Sequence, residues 1–425
     1  MSEHLREEGE IDEQGEIDPA KLFDLLNPQY MASPYDAYRV AREKAPVCPM
    51  AADGPWIVTG REEMAAVLRD PARFTSRTNT HGTYGFTDEC RELLSGSVYY
   101  RIAPFNADPE DHGRFRSLVD EAFSPTALRR REPAVRAAAG ALVAEFKDSG
   151  GVDLLAGFAY PLPLTVLCDI IGVPAEDRAT VKGWLGDWLL MQVLPLPPED
   201  QLRCAKSVLA YEEYVRGLLA ERRRQPTDDL LTVLADAAAQ SDPVCTVDDA
   251  VLALLVLLAS GHETTTHLIT NTVHRLLGDR KQWERLVADP GLIPAAVEEG
   301  LRFNTSVQGA PRVVTEDVTL GGVAVPAGAK VHAMVAAAGR DPGTADDPET
   351  FSLDRTDPPR HFAFGHGPHS CLGADLARLQ GRVALEALVE AVPEMELAPG
   401  FAPQHLPGGL VINGLLALPV TWPTS

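Results

Sequence analysis

Apolar and polar positions recur with helical spacing along most of the chain and alternate in only a few short segments. The stretches "SPYDAYRVAREKAP", "REEMAAVLRD" and "QLRCAKSVLAYEEYVRGLLAERRRQ" place apolar residues about one helical turn apart, with charged residues between them. This pattern predicts amphipathic helices. Ser33 is the expected N-cap of the first of these helices.

The β-strand signals are short, and most of them come late in the chain. "PWIVTG" predicts one strand, and "VVTEDVTLGGVAVPAGAKVHAMV" alternates apolar and polar residues around glycine-containing turns. "LVINGLLALPVTW" predicts a hairpin that turns at Asn413–Gly414. The expected fold class is therefore mainly α with small β-sheets, an α+β arrangement rather than a βαβ one.

One predicted helix, "TVDDAVLALLVLLASGHETTTHLITNTVHRLLGD", breaks the rules of helix composition in its middle. Thr246 and Asp249 fit a capping box, and the apolar run that follows predicts a buried helix. Gly261 then costs about 1 kcal/mol relative to alanine. Either another helix packs closely on Gly261, or the helix widens to admit a small ligand. In the second case, one side of a cavity would be lined by Val256, Ala259, Ser260, Glu263 and Thr264.

Cys371 lies in "HFAFGHGPHSCLGADLARLQGRVALEAL", just before a predicted helix and between Gly367 and Gly373. A helix N-terminus lowers the pKa of a thiol, and glycines let a flat ligand approach the backbone. Three interpretations are open: a buried structural thiol, a zinc ligand, and a thiolate that holds a redox metal. Zinc would require tetrahedral convergence of Cys371 with His361, His366 and His369, which the intervening glycines and proline disfavour.

Composition narrows the class of protein. The chain has 425 residues and a net charge of -23, which argues against nucleic acid as the main partner. Its six cysteines form no CxxC pair. Residues 1–19 are acidic and unlike a signal peptide, so we expect a flexible tail. The longest apolar run, Ala250–Ala259, is too short for a bilayer, which takes about 20 residues. We therefore expect a cytoplasmic protein that binds no membrane.

Four ordered motifs resemble those of the cytochrome P-450 haem-thiolate monooxygenases, most closely the soluble bacterial branch. "FAFGHGPHSCLG" resembles the haem-binding signature, and "ASGHETT" resembles the oxygen-activation motif, with Ser260 where alanine or glycine is usual. "EGLR" resembles the E-x-x-R motif, and Arg355 matches the arginine that completes it. "DPEDHGRFRSLV" resembles the stretch that holds a haem propionate. The resemblance extends from about Leu22 to Trp422.

The resemblance implies a single cytochrome P-450 domain over residues 20–425, with haem b between the long central helix and the helix after the cysteine loop. Cys371 would be the axial thiolate on iron, and Glu263 and Thr264 would deliver protons to bound dioxygen. Contacts to the haem would come from His112, Arg116, Arg312, Phe364, Gly365, His369 and Gly373. The substrate pocket would include Val256, Ala259, Ser260, Val307 and Gln308. A structural cluster would comprise Glu299, Arg302 and Arg355.

The implied activity is insertion of one oxygen atom from O2 into a small or medium apolar organic substrate, as in secondary metabolism. Hydroxylation, epoxidation and O-demethylation all stay open. Electrons would come from a separate ferredoxin and its reductase to a monomeric enzyme, through a local basic patch. Candidates for that patch are Arg129, Arg130, Arg131, Arg378 and Arg382. The alternatives are a peroxide-driven or oxidative-coupling enzyme and a gas-binding haem protein.

Overall fold

The computed structural model describes residues 17–25, 27–51, 54–77, 85–193, 195–241, 243–355, 360–406 and 410–424. Residues 1–16 of the predicted tail lie outside the described residues. Helices make up most of the described chain and the strands are short, which confirms the predicted α+β class. Of the described helices, the one over Val247–Gly278 is long and apolar enough to cross a membrane, but 67% of its most apolar window is buried.

The helices, numbered in chain order, are α1 (Pro19–Leu22), α2 (Pro28–Ala32), α3 (Tyr35–Lys44), α4 (Arg61–Arg69), α5 (Asp88–Leu93), α6 (Pro109–Val119), α7 (Pro125–Phe146), α8 (Pro161–Ile171), α9 (Arg178–Val193), α10 (Pro198–Arg224), α11 (Leu230–Ala238), α12 (Val247–Gly278), α13 (Arg280–Ala288), α14 (Ile293–Phe303), α15 (Val335–Ala338) and α16 (Ala374–Ala391). The strands are β1 (Val47–Pro49), β2 (Trp56–Val58), β3 (Phe74–Thr75), β4 (Gly151–Asp153), β5 (Ala310–Val314), β6 (Val318–Leu320), β7 (Val323–Val325), β8 (Lys330–Ala333), β9 (Glu396–Leu397) and β10 (Pro419–Thr421).

Contacts divide the chain into two compact units. The first comprises residues 1–76, 139–159 and 264–425, and the second comprises residues 77–138 and 160–263. Helix α12 continues from the second unit into the first between Glu263 and Thr264. The prediction of a single domain over residues 20–425 stays a prediction.

The first unit contains the sheets. Its largest sheet has the strand order β1-β2-β8-β5-β3, in which β2 and β8 run parallel and the other pairs run antiparallel. A second sheet has the order β4-β10-β9, and β6 and β7 form a hairpin. That hairpin turns at Gly321 and Gly322, both with positive φ as the Gly-Gly signal predicts. Buried residues of α1 to α4, of strands in the sheets and of α15 form one hydrophobic core.

Two local predictions are wrong. Ser33 ends α2 rather than capping α3, because its N–H donates to the Gln29 carbonyl at 2.9 Å. No hairpin turns at Asn413–Gly414, since β10 pairs with β4 and β9 instead. There, the Asn413 N–H donates to Ser306 O at 2.7 Å, and a Cβ on Gly414 would overlap the ring of His267. This glycine therefore permits close packing rather than a turn.

The capping box of the central helix is confirmed. Thr246 Oγ1 accepts the Asp249 N–H at 3.1 Å, and Asp249 Oδ2 accepts the Thr246 N–H at 3.0 Å. The apolar residues that follow are almost all buried, as the pattern predicts. This helix carries Glu263 in the second unit and Thr264 in the first, the two residues expected to deliver protons.

Candidate functional site

The loop before α16 presents Cys371. Gly365 and Gly367 have φ of 70° and 79°, values that L residues rarely adopt. The Cys371 N–H donates to the Phe364 carbonyl at 2.8 Å, which closes the loop on itself. A Cβ on Gly367 would overlap the Leu68 carbonyl oxygen at the end of α4. The glycines are therefore required both for the turn and for its packing.

Cys371 differs from the other cysteines in its environment. It is the exposed one of the six, and it lies three residues before the N-terminus of α16. Burial raises the pKa of the thiols of Cys168 and Cys245 to about 12, and of Cys48 and Cys204 to about 11. Those thiols stay neutral at physiological pH. Cys371 is therefore the cysteine whose thiol a ligand can reach, and the interpretation as a buried structural thiol does not hold.

The histidines near Cys371 turn toward separate partners rather than toward one centre. The partners are Glu298 for His361, Arg69 for His366 and Ser76 for His369. Among the described residues, no three His, Cys, Asp or Glu side chains are grouped so that they could hold a metal ion. The geometry therefore gives no support to the zinc interpretation.

Ser76 is a neighbour of the cysteine loop that the sequence did not suggest. Its Oγ lies 2.8 Å from His369 Nε2, and it follows directly on β3. Pairing of β3 with β5 holds this serine in place. The bond fixes the orientation of the imidazole that the resemblance assigns to a propionate.

Phe364 of the loop packs against Arg378 of α16. The Arg378 guanidinium lies 4.6 Å from the centroid of the Phe364 ring, and its Nε donates to Glu298 Oε1 at 2.6 Å. Burial would raise the pKa of Glu298, but hydrogen bonds from His361 and Arg378 outweigh it and lower that pKa to about 2. This carboxylate on α14 thus anchors two side chains beside the loop.

The predicted cluster of Glu299, Arg302 and Arg355 forms. Arg302 donates from two nitrogens to the Glu299 carboxylate, both at 2.7 Å, and Arg355 Nε donates to the same group at 3.0 Å. Arg302 is fully buried and also donates to three backbone carbonyls of the segment over residues 339–350. The cluster joins α14 to this irregular segment, as expected of a structural element.

Arg312 on β5 fits an anionic ligand. Its side chain is 8% exposed, and burial lowers the pKa of the guanidinium to about 10. Among the described residues, its guanidinium hydrogen-bonds the adjacent backbone: Nη1 donates to the Pro311 carbonyl at 2.7 Å. A buried cation needs an anionic partner. Space in front of Gly373 is also open, since a Cβ there would meet no atom within 4 Å. Both observations fit the haem that the resemblance implies.

The second unit contributes His112 and Arg116, one turn apart on α6. His112 is buried, and this burial together with the charge of Arg116 lowers the pKa of its imidazole. Arg116 Nε donates to Asp120 Oδ1 at 2.8 Å, which ties the guanidinium to the residue that follows α6. The two side chains share a helix face as predicted, and their contact with a propionate stays a prediction.

The predicted cavity-lining positions of α12 keep exposed surface in an otherwise buried helix. Val256, Ala259 and Glu263 are partly exposed and Ser260 is exposed, whereas their apolar neighbours are buried. Ser260 Oγ donates to the Val256 carbonyl at 2.6 Å. A Cβ on Gly261 would come within 3.0 Å of Leu167 Cδ2 on α8. Close packing on the glycine and accessible side chains therefore occur in the same stretch, and the lining of a ligand cavity stays a prediction.

Thr264 begins the part of α12 that belongs to the first unit. Its carbonyl accepts a hydrogen bond from Ser306 Oγ at 2.8 Å, which fixes the helix at this turn. Four residues later, Leu268 packs with Val297 around Gly381 of α16. The helix that carries Thr264 therefore packs against the helix that follows Cys371.

Gln308 does not lie where the pocket prediction requires. Its Oε1 accepts from the Tyr38 hydroxyl at 2.9 Å, and its Nε2 donates to the Thr305 carbonyl at 2.8 Å. The side chain is fully buried, so no surface remains for a substrate to contact. Val307 beside it is partly exposed and stays a candidate.

Comparison with known proteins gives consistent matches. The family model described as "Cytochrome P450" matches residues 271–391. The chain is 34% identical over 401 residues to the vitamin D(3) 25-hydroxylase of Pseudonocardia autotrophica, covering 94% of this chain and 96% of the relative. It is 35% identical over 398 residues to the mycinamicin IV hydroxylase/epoxidase of Micromonospora griseorubida, covering 92% and 96%. The solved structure of cytochrome P450 CREJ in complex with (4-ethylphenyl) dihydrogen phosphate has a TM-score of 0.86 at 29% identity, covering 92% of this chain and 98% of that chain.

Proposed function

Since the chain belongs to the cytochrome P450 family and is a soluble bacterial monooxygenase of that family, we propose that it uses haem b to oxidise a small or medium apolar organic substrate. This proposal depends on Cys371, because its exposed thiol lies just before a helix N-terminus, in a loop whose turn requires glycines. When bound, the haem supplies the iron that activates dioxygen. The reaction would be hydroxylation, epoxidation or O-demethylation, as in secondary metabolism.

The loop residues would hold Cys371 as the thiolate ligand of the haem iron. The Phe364 carbonyl fixes the cysteine backbone, and the Arg378 guanidinium packs on the Phe364 ring. Hydrogen bonds and packing around a ligating sulfur help to set the redox potential of a thiolate-bound metal. Arg312 and His369 in the first unit, and His112 and Arg116 in the second, would hold the propionates.

Glu263 and Thr264 would deliver protons to the reacting oxygen. Thr264 Oγ1 would donate first, and the Glu263 carboxyl would then replace that proton, directly or through water. Their position supports this role, because both keep exposed surface on a buried helix. The Ser306 bond to the Thr264 carbonyl would hold the backbone of this turn.

An apolar substrate is supported by the side chains that stay accessible. Val256, Ala259 and Val307 offer apolar surface, and Ser260 Oγ is already bonded to its own helix. The two curated relatives are named for the hydroxylation of vitamin D(3) and for the hydroxylation or epoxidation of mycinamicin IV. Attack on a C–H or C=C bond of an apolar skeleton is therefore the proposed reaction.

Electrons would come from a separate ferredoxin and its reductase to a monomeric, cytoplasmic enzyme. Arg378 and Arg382 are each paired with a glutamate, Glu298 and Glu386. The exposed Arg129 and Arg130 are therefore stronger candidates for the basic patch. Docking through such a patch would weaken as salt increases.

The carbon-monoxide difference spectrum of the reduced protein tests the proposal. Wild type and the control variant Cys245→Ala, at a buried thiol, should both give the strongly red-shifted Soret band of thiolate ligation. Cys371→Ala should lose this band, and its retention would refute the ligand assignment. Turnover that depends on the reductase supports the monooxygenase, whereas turnover that needs only peroxide would favour a peroxide-driven enzyme.

A further inference from the structure

Glu298 on α14 directly precedes the EGLR motif and is not part of it. Its Oε1 accepts a hydrogen bond from Arg378 Nε at 2.6 Å, and its Oε2 accepts one from Arg378 Nη2 at 3.3 Å. The same Oε2 lies 3.3 Å from His361 Nε2. Arg378 belongs to α16, and His361 lies ahead of Cys371 in the cysteine loop. One carboxylate therefore joins two helices to that loop, and all of these residues belong to the first unit.

The His361 ring is fixed by hydrogen bonds at both of its nitrogens. Its Nδ1 accepts the Ala363 N–H at 3.2 Å, so the proton of the neutral imidazole lies on Nε2. That nitrogen is the one that faces Glu298, and it donates to the carboxylate. The centroid of the imidazole is 6.1 Å from that of the Phe364 ring. His361 therefore ties the residues just before Phe364 to α14.

Phe364 makes one contact through its ring and another through its backbone. The Arg378 guanidinium lies 4.6 Å from the ring centroid, which is a cation–π distance. The Phe364 carbonyl accepts the Cys371 N–H at 2.8 Å. The positive charge of Arg378 and the backbone of the cysteine therefore meet at the same residue.

Glu298 neutralises the cation that lies on Phe364. Its side chain is 25% exposed, and the hydrogen bonds from His361 and Arg378 lower its pKa to about 2, so it is ionised at physiological pH. Asp375 Oδ1 is also near Arg378, 3.7 Å from Nη1, but its side chain is 56% exposed, and exposed pairs of this kind are weak. The pair of Glu298 and Arg378 thus adds no net charge beside the loop.

We propose that Glu298 is a positioning residue for the Arg378 guanidinium on Phe364, and that by cancelling the charge of Arg378 it keeps the reduction potential of the bound iron low. The inference rests on the proposed role of Cys371 as the thiolate ligand. Uptake of one electron from the proposed ferredoxin adds one negative charge at the iron, and no bond of this chain forms or breaks. A nearby unpaired cation favours the reduced state, whereas an unpaired carboxylate disfavours it.

The test measures the one-electron reduction potential of haem-loaded wild type, Glu298→Gln, Arg378→Gln and the double variant at about pH 8, above the ordinary titration range of imidazole. Glu298→Gln leaves the Arg378 charge unpaired. At a fixed potential it should raise the ratio of reduced to oxidised protein by about tenfold, or about 59 mV for one electron. Arg378→Gln should lower that ratio by a similar factor. The double variant is neutral at both positions and should return to the wild-type value.

Glu386→Gln is the matched control. It removes the charge from another glutamate–arginine pair, with Arg382 at 3.3 Å, about two helical turns beyond Arg378 on α16. The Glu386 side chain is 29% exposed, close to the 25% of Glu298. Both variants change the net charge of the protein equally, so the control should shift the potential far less than Glu298→Gln does.

The outcomes separate this inference from the function it rests on. If wild type and Glu386→Gln lack the red-shifted carbon-monoxide band, the assignment of Cys371 fails and the inference fails with it. If both show the band but the two single variants shift the potential in the same direction, or no further than the control, the charge-cancelling role is wrong and the thiolate assignment stands. If Glu298→Gln binds no haem, the other variants decide, because a double variant that stays at the Arg378→Gln potential would overturn the inference.

Discussion

Replacing Glu299 by glutamine removes the charge from a buried group that binds two guanidinium groups. The carboxylate accepts two hydrogen bonds from Arg302, two from Arg355 at 3.0 and 3.1 Å, and one from the Ser352 N–H at 2.8 Å. A glutamine side chain keeps one acceptor oxygen, but its NH2 group would face the guanidinium and backbone N–H donors that now bind the carboxylate. Breaking a buried pair by removing one partner costs about 3–5 kcal/mol. That is a large part of the roughly 5–15 kcal/mol by which proteins are stable.

Urea unfolding followed by circular dichroism measures the loss. Glu132→Gln is the matched control, because it makes the same chemical change in the partly exposed pair of Glu132 with Arg136, at 2.9 Å. An exposed pair one helical turn apart contributes about 0.3–0.5 kcal/mol. A Glu299→Gln variant that loses no more than the control would refute the view that this cluster supports the irregular segment over residues 339–350.

Three further predictions concern the cysteine loop and the proton relay. Gly367→Ala should lower stability by about 1–3 kcal/mol through its positive φ and reduce the haem-bound fraction, whereas Gly373→Ala should reduce that fraction alone. Equal effects in haem titrations and urea unfolding would contradict this. Because the pKa of Glu298 is lowered to about 2, its stabilising effect is complete above pH 4.5 and declines as pH falls toward 2. The stability difference between wild type and Glu298→Gln should therefore shrink between pH 5 and 3 in urea titrations. Thr264→Ala should keep substrate binding but divert reductant to peroxide, while Thr264→Ser should not; an unchanged ratio of product to reductant would count against the relay.

Features set by neighbours in sequence could be predicted from the chain. The capping box of Thr246 and Asp249 and the pairing of Glu299 with Arg302 join residues three apart. Both follow from helix geometry alone. The turn around Cys371 could also be predicted from the sequence, because its glycines serve a local backbone conformation.

Features that depend on distant packing could not be predicted. Ser76 and His369 are 293 positions apart in the sequence, and they come into contact only because the two-residue strand before Ser76 pairs with β5. Tyr38 lies 270 positions from Gln308 in the sequence, and its hydrogen bond to the side-chain amide of Gln308 keeps that amide out of the predicted pocket. Gly414 carried a strong turn signal, but His267 fills the space that a side chain would need. In each case a tertiary contact overrides the local pattern.

The largest sheet has a consequence for how the protein behaves at high concentration. One of its edges is a strand of two residues, and the other is a strand of three that ends in Pro49. Exposed edges are where sheets of separate molecules join, and short strands or proline leave few unpaired amide groups for such joining. Both edges therefore offer little template for fibril growth, although 45% of the residues in the chain are hydrophobic.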